Sequence, residues 1–300
     1  MRMVKKIFGA SFEQSKKIQG RYKKYVKNGY KKMGIINVIG TSLLAIIFFG
    51  IFFYVLGIGM VEGLISAKPD EINILNYHNT VLAASFAAPF TVVSKFVIFL
   101  WIFIWVTLIV RRILPRWTVV SFCTIGWEAG VVMSLLQFFT LCPILFGYAL
   151  VGVGWVGILL QIFFLITFGT EQIKNELVKI YRKLYNQASE KKEGMKNRFY
   201  NRIFILSVIV VNMFTFRFGC ISQDFELWSL VYSWLFFLLG LFTIYMVKVL
   251  VIRNGISIYY FRKYKDLYKE TWKVTDEQWY GKCRAKKLAK KKIKQERKGK

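Results

Sequence analysis

The chain is 300 residues long, 55% hydrophobic and 18% aromatic, and still carries a formal net charge of +28. These values exclude an ordinary soluble domain, because high charge and high hydrophobicity share one chain only when apolar runs sit in lipid and basic runs in water beside them. The four cysteines, Cys123, Cys142, Cys220 and Cys283, form no close pair, so neither a metal cluster, a cofactor site nor a disulfide framework is expected.

Residues 1–34 are polar and basic. Ile18, Tyr22, Tyr25 and Val26 recur at helical spacing among Lys16, Lys17, Arg21, Lys23 and Lys24, which predicts an amphipathic helix lying on the inner leaflet. The first apolar run begins only after this segment and is long enough to stay as an anchor, so no cleaved signal peptide is expected. A hydrocarbon core of about 30 Å needs roughly 20 apolar residues. The uncharged run 35–61 meets that length. The run 81–110 exceeds it and contains Pro89 and Lys95, so 81–89 reads as an interfacial or re-entrant lead-in and 91–110 as the span, closed by Arg111, Arg112 and Arg116.

From Trp117 to Gly169 the single charge is Glu128. A straight helix of that length would reach about 80 Å, so the chain must fold back. The break is predicted at Leu141-Cys142-Pro143, since the residue before a proline resists the helical conformation; this gives spans 117–140 and 144–168. A polar segment, 171–202, precedes spans 203–218 and 228–251. A basic tail, 252–300, closes the chain, with Phe261, Tyr264, Leu267, Tyr268 and Trp272 on one helical face.

Nearly all Lys and Arg fall in 1–34, 111–116, 171–202 and from Lys248 onward. The alternate segments hold only Lys68 and Arg217, with Glu62, Asp70, Glu71, Asp224 and Glu226. By the positive-inside rule both ends are cytoplasmic. The expectation is an all-α, polytopic membrane protein with about six transmembrane helices and basic amphipathic cytoplasmic termini, multi-pass in a cell membrane. The Lys-rich, Pro-poor composition points to a bacterial plasma membrane.

Glu128 is the only carboxylate within a span and is predicted near the bilayer centre, where an ionised acid costs about 2.5–3.5 kcal/mol. Candidate partners are Lys95, Arg217, Asn212, Gln137 and Gln161. It is either a structural tie between helices or, less favoured, a proton- or substrate-coupling residue. Lys95 and Arg217 can snorkel to the headgroups. His78 stands alone, without a metal or catalytic partner, and Cys142 could reach Cys220 on the outer face. Gly152-Val153-Gly154-Trp155-Val156-Gly157 matches a dinucleotide fingerprint by letters, but it lies inside an apolar run without the strand that the motif requires. Gly147, Gly152, Gly154 and Gly157 instead suit close helix packing in lipid.

In the tail, Lys286, Lys287, Lys290, Lys291, Lys292 and Lys294 are expected to bind anionic lipid at the inner leaflet, at up to about 1 kcal/mol per basic residue. Nucleic acid, held through phosphates, is the disfavoured alternative because the membrane is already adjacent. Other membrane subunits or a second copy of the chain are further possible partners. No nucleophile–base pair, paired carboxylates or phosphate loop supports an enzyme.

The block from the RRILPRWTVVSF turn through the apolar stretch Trp117 to Gly169, about half the chain, resembles the Yip-type (Ypt-interacting) integral membrane proteins. The shared features are a short basic turn, a Ser-Phe step and two long apolar helices joined at a proline. The extended basic termini depart from that family's compact pattern. The resemblance implies a non-catalytic role in membrane organisation, and bacterial members accompany secretion of, or immunity to, membrane-active peptides. The competing expectations are a transporter or channel subunit with a polar path through Glu128, and an insertase-like protein.

Overall fold

The computed structural model describes residues 2–29, 34–72, 76–113, 118–186, 206 and 227–298. Apart from Leu206, the expected span 203–218 with Asn212 and Arg217 lies outside the described residues, as do the segment 187–202 and Cys220. Among the described residues the fold is helical throughout, with no strand.

Three short helices open the chain: α1 (Arg2–Phe8), α2 (Phe12–Ser15) and α3 (Gly20–Gly29). Ser11 and Gln14 start α2 with a reciprocal capping box, which satisfies donors at the helix start. The first long rod is α4 (Ile35–Tyr54), continuing through a π-helical turn, Val55–Gly59, into α5 (Met60–Ser66). Gly57 in that turn lies so close to Thr140 that a Cβ would fall 2.5 Å from the threonine Cβ.

The second rod joins α6 (Tyr77–Ala87) to α7 (Thr91–Ile113) through a 3-10 turn, Ala88–Phe90. Ala87, Ala88 and Thr91 all keep right-handed helical backbone angles around Pro89. Proline at the start of a turn loses an N–H that would be unpaired anyway. The segment 81–89 therefore runs straight on into α7 and does not fold back as a re-entrant piece.

The third rod, α8 (Val119–Tyr185), begins at a Thr118 cap and contains Pro143, yet it does not turn there. It turns at Gly154, whose φ of 67° and ψ of −179° suit glycine alone. The reversal is plain from what faces each arm. Gly130 meets Leu250 and Gly169 meets Ile244, although a straight helix would hold these glycines about 58 Å apart. Pro143 is tolerated because the carbonyl that it orphans, on Phe139 four residues earlier, accepts a hydrogen bond from the Ser94 hydroxyl of α7 at 2.9 Å. The spans expected at 117–140 and 144–168 are thus replaced by an outbound arm, 119–153, and a return arm, 155–185.

The last rod is α9 (Leu227–Met246), a π-helical stretch, Val247–Asn254, and α10 (Gly255–Lys263). Short helices α11 (Lys265–Thr271) and α12 (Asp276–Tyr280) follow, then α13 (Lys282–Lys298).

Among the described residues four helices are long and apolar enough to cross a membrane: Ile35–Ser66, Tyr77–Arg112, Val119–Tyr185 and Val231–Lys263. Their outer faces expose Ile36, Leu44, Phe48, Phe96, Phe99, Val156 and Ile166, which is the surface that lipid tails solvate and water does not. The α6–α7 rod runs antiparallel along the outbound arm, with Ala83 at Gly147, Ser94 at Phe139 and Leu108 beside Ile125. The last rod lies parallel to the return arm. Gln161 donates to Ser233 at 2.9 Å, Lys248 to Gln172 at 2.8 Å and Arg253 to Glu176 at 2.6 Å, in rising order along both helices.

Candidate functional site

The polar groups inside the rods are scattered. Glu128 follows Trp127, whose indole N–H donates to the Leu250 carbonyl at 2.7 Å. Because the outbound arm extends to 153, Glu128 sits about 12 Å from its midpoint, toward the end that carries the termini. The side chain is partly buried, and no described residue gives it a hydrogen bond or ion pair.

Lys95, one of its candidate partners, pairs with Glu62 of α5 at 3.1 Å, both side chains about half exposed. Ser94 places this pair level with Phe139, about 16 Å along the arm from Glu128. Gln161 is buried against Ser233, and Gln137 is buried on the outbound arm between Glu128 and Phe139. Arg217 and Asn212 lie outside the described residues. Glu128 and Lys95 are therefore not paired with each other.

The glycines have separate tasks. Gly147 abuts α6, where a Cβ would stand 2.4 Å from the Ala83 carbonyl oxygen. Gly154 makes the turn, and Gly152 and Gly157 are buried beside it. The G-x-G-x-x-G letters thus form the tip of a helical hairpin. Cys142 is a free thiol.

At the opposite end of the bundle the two termini build a joint core. Val26, Phe261, Tyr268, Trp272 and Trp279 pack with Val119 and Val120 of the outbound arm. Ile7 and Ala10 pack with Ile180 and Leu184 of the return arm and with Ile256 and Tyr260. Hydrogen bonds lock the first residues to the last rod. The Ala10 N–H donates to the Tyr260 hydroxyl at 3.0 Å, Tyr260 donates to the Ile7 carbonyl, and Tyr264 donates to the Ala10 carbonyl at 3.0 Å. Gln19 donates to the Ser257 carbonyl at 2.6 Å. The Ser15 and Tyr268 hydroxyls lie 2.5 Å apart; Ser15 gives its proton to the Phe12 carbonyl at 2.7 Å, so Tyr268 is the donor between them.

The two amphipathic faces expected on the leaflet therefore bury each other. Apolar faces at both ends of the chain, brought to one end of the bundle, find a protein partner before they find lipid. Only Leu267 of the expected tail face stays exposed, while Ile18 is partly buried. Burial in this cap raises the Tyr22 and Tyr25 phenols well above their ordinary value and pushes Tyr268 up to about 12.

Beside the cap, Glu176 is buried and held by Arg253. By composition Glu176 falls in the polar segment 171–202, where no such pair is expected. Its signal was the spacing of Gly169, Glu176, Ile180 and Leu184, one helix face that stays buried to the end of α8.

Lys286, Lys287, Lys290 and Lys291 are exposed on α13, which also carries Lys292 and Lys294. Among the described residues no cluster of His, Cys, Asp and Glu could hold a metal ion. Compared with protein-family models, curated proteins and solved structures, the chain matches none of them.

Proposed function

We propose that the chain is a non-catalytic, integral membrane accessory protein that crosses a bacterial plasma membrane six times and presents a folded basic cap to the cytoplasm. The observation that carries this reading is the interlocked cap. It gathers both termini at the end of the bundle where the Lys and Arg residues concentrate, and the positive-inside rule makes that end cytoplasmic. The fifth crossing in this proposal is the apolar stretch 203–218, which apart from Leu206 lies outside the described residues. The role beside secretion of, or immunity to, membrane-active peptides that the Yip-type resemblance implies belongs to the same proposal.

The transporter alternative needs a polar path, and the separation of Glu128 from the Lys95–Glu62 pair speaks against one. The test is ion and proton flux through the purified chain reconstituted in vesicles, wild type beside Glu128→Gln. Glutamine keeps hydrogen-bonding capacity and removes only ionisation. Equal thermal stability and no protein-dependent flux in either are expected. A flux that Glu128→Gln abolishes in a normally folded protein would overturn the accessory reading.

A further inference from the structure

Between the start of α8 and the C-terminal part of the cap lies an open polar cavity of about 620 Å³. Three cations line it, Arg262, Lys265 and Arg284, against a single carboxylate, Asp266. Arg262 and Lys265 make no hydrogen bond or ion pair with a described residue, and Arg284 lies over the Tyr280 ring at 4.7 Å. Thr118 and Ser121, whose hydroxyls hydrogen-bond to each other, also line it, as does Trp279 of the cap core. A cavity with this excess of fixed positive charge suits an anion with several acceptor oxygens, because charge-assisted hydrogen bonds to phosphate are the strong ones.

Its position narrows the ligand. Gly281, next to Tyr280, would carry a Cβ 3.9 Å from the Arg112 guanidinium at the end of α7. The apolar outer face of α7 continues exposed through Val106 to Val110, just short of that arginine. The cavity therefore opens where the hydrocarbon-facing surface stops, the level at which lipid phosphates lie and at which Trp and Tyr favour the interface. Asp266 adds an acceptor for headgroup hydroxyls. We propose that this cavity binds the phosphate of an anionic phospholipid headgroup, a built site distinct from the lysine-rich face of α13. The assignment to lipid rests on the membrane reading given above.

The full-length chain in neutral detergent, titrated with phosphatidylglycerol or phosphatidylcholine and read by native mass spectrometry, tests the proposal independently of which way the chain is inserted. Phosphatidylglycerol should be retained at least about tenfold more tightly than phosphatidylcholine. The triple variant Arg262→Gln, Lys265→Gln, Arg284→Gln should weaken that retention by about tenfold or more. Lys286→Gln, Lys287→Gln, Lys290→Gln removes the same charge from exposed positions and should weaken it by less than about threefold. Millimolar inorganic phosphate should leave the lipid bound; its displacement by phosphate would make a soluble phosphate the ligand and overturn the lipid assignment. Equal weakening by the two triple variants would overturn the site itself. Should loss of Arg284 from the Tyr280 ring shift the thermal midpoint, the double variant Arg262→Gln, Lys265→Gln carries the same test, and there a change under about twofold contradicts the site.

Discussion

Single residues decide where the rods touch and where they turn. Gly147 lets α6 approach α8 until backbone meets backbone, and a methyl group there has only the Ala83 peptide to displace. Gly63 in α5 has nothing within 4 Å of the same added methyl. Gly147→Ala should therefore lower stability by about 1–3 kcal/mol, whereas Gly63→Ala should raise it by about 0.5–1 kcal/mol through helix propensity. Thermal unfolding of the two variants in one detergent checks the contrast. Equal midpoints would mean that the α6–α8 contact is looser than the geometry requires. Pro143 makes the complementary point: a helix breaker by sequence is neutralised by a hydroxyl from another helix.

Among the elements, the cap sets a pH limit. The Tyr268 phenol is raised to about 12 by burial, against an ordinary 10.0. Its neutral form therefore favours the folded cap fully below about pH 10, and that contribution is lost as pH rises toward 12. Tyr22 and Tyr25, raised further by burial and partly buried in the same cluster, act in the same direction. An alkaline titration followed by tyrosinate absorbance and near-ultraviolet circular dichroism should show a late-ionising tyrosine group whose transition coincides with loss of aromatic signal. A single ionisation near pH 10 without structural change would contradict a buried cap.

The elements also mark how far sequence reading reaches. The apolar rods were legible because only about 20 consecutive apolar residues satisfy a bilayer, and α4, α7 and the last rod fall where hydropathy places them. The turn of α8 was misplaced because local propensity ranks a proline above a glycine as a breaker. The actual choice was tertiary, since Ser94 rescues the carbonyl four residues before Pro143 while Gly154 takes the positive φ of the turn. The cap was missed for a related reason. Amphipathicity announces a face that needs covering, but not whether lipid or the other end of the chain covers it. That Lys95, one of several candidate partners for Glu128, pairs with Glu62 instead depends on registers between helices, which spacing within one helix does not contain.

For the whole molecule, an apolar-faced bundle joins a cap in which residues some 250 positions apart share hydrogen bonds. Both ends then lie on one side, and Lys68, in the short connection after α5, lies on the other. The most direct test is labelling of single cysteines, each introduced into a cysteine-free chain, with a membrane-impermeant maleimide on intact cells. Cysteine at position 68 should react from outside, while cysteines at 13, 174 and 290 should react only after the membrane is opened. Labelling of position 174 or 290 in intact cells, with position 68 protected, would contradict the account.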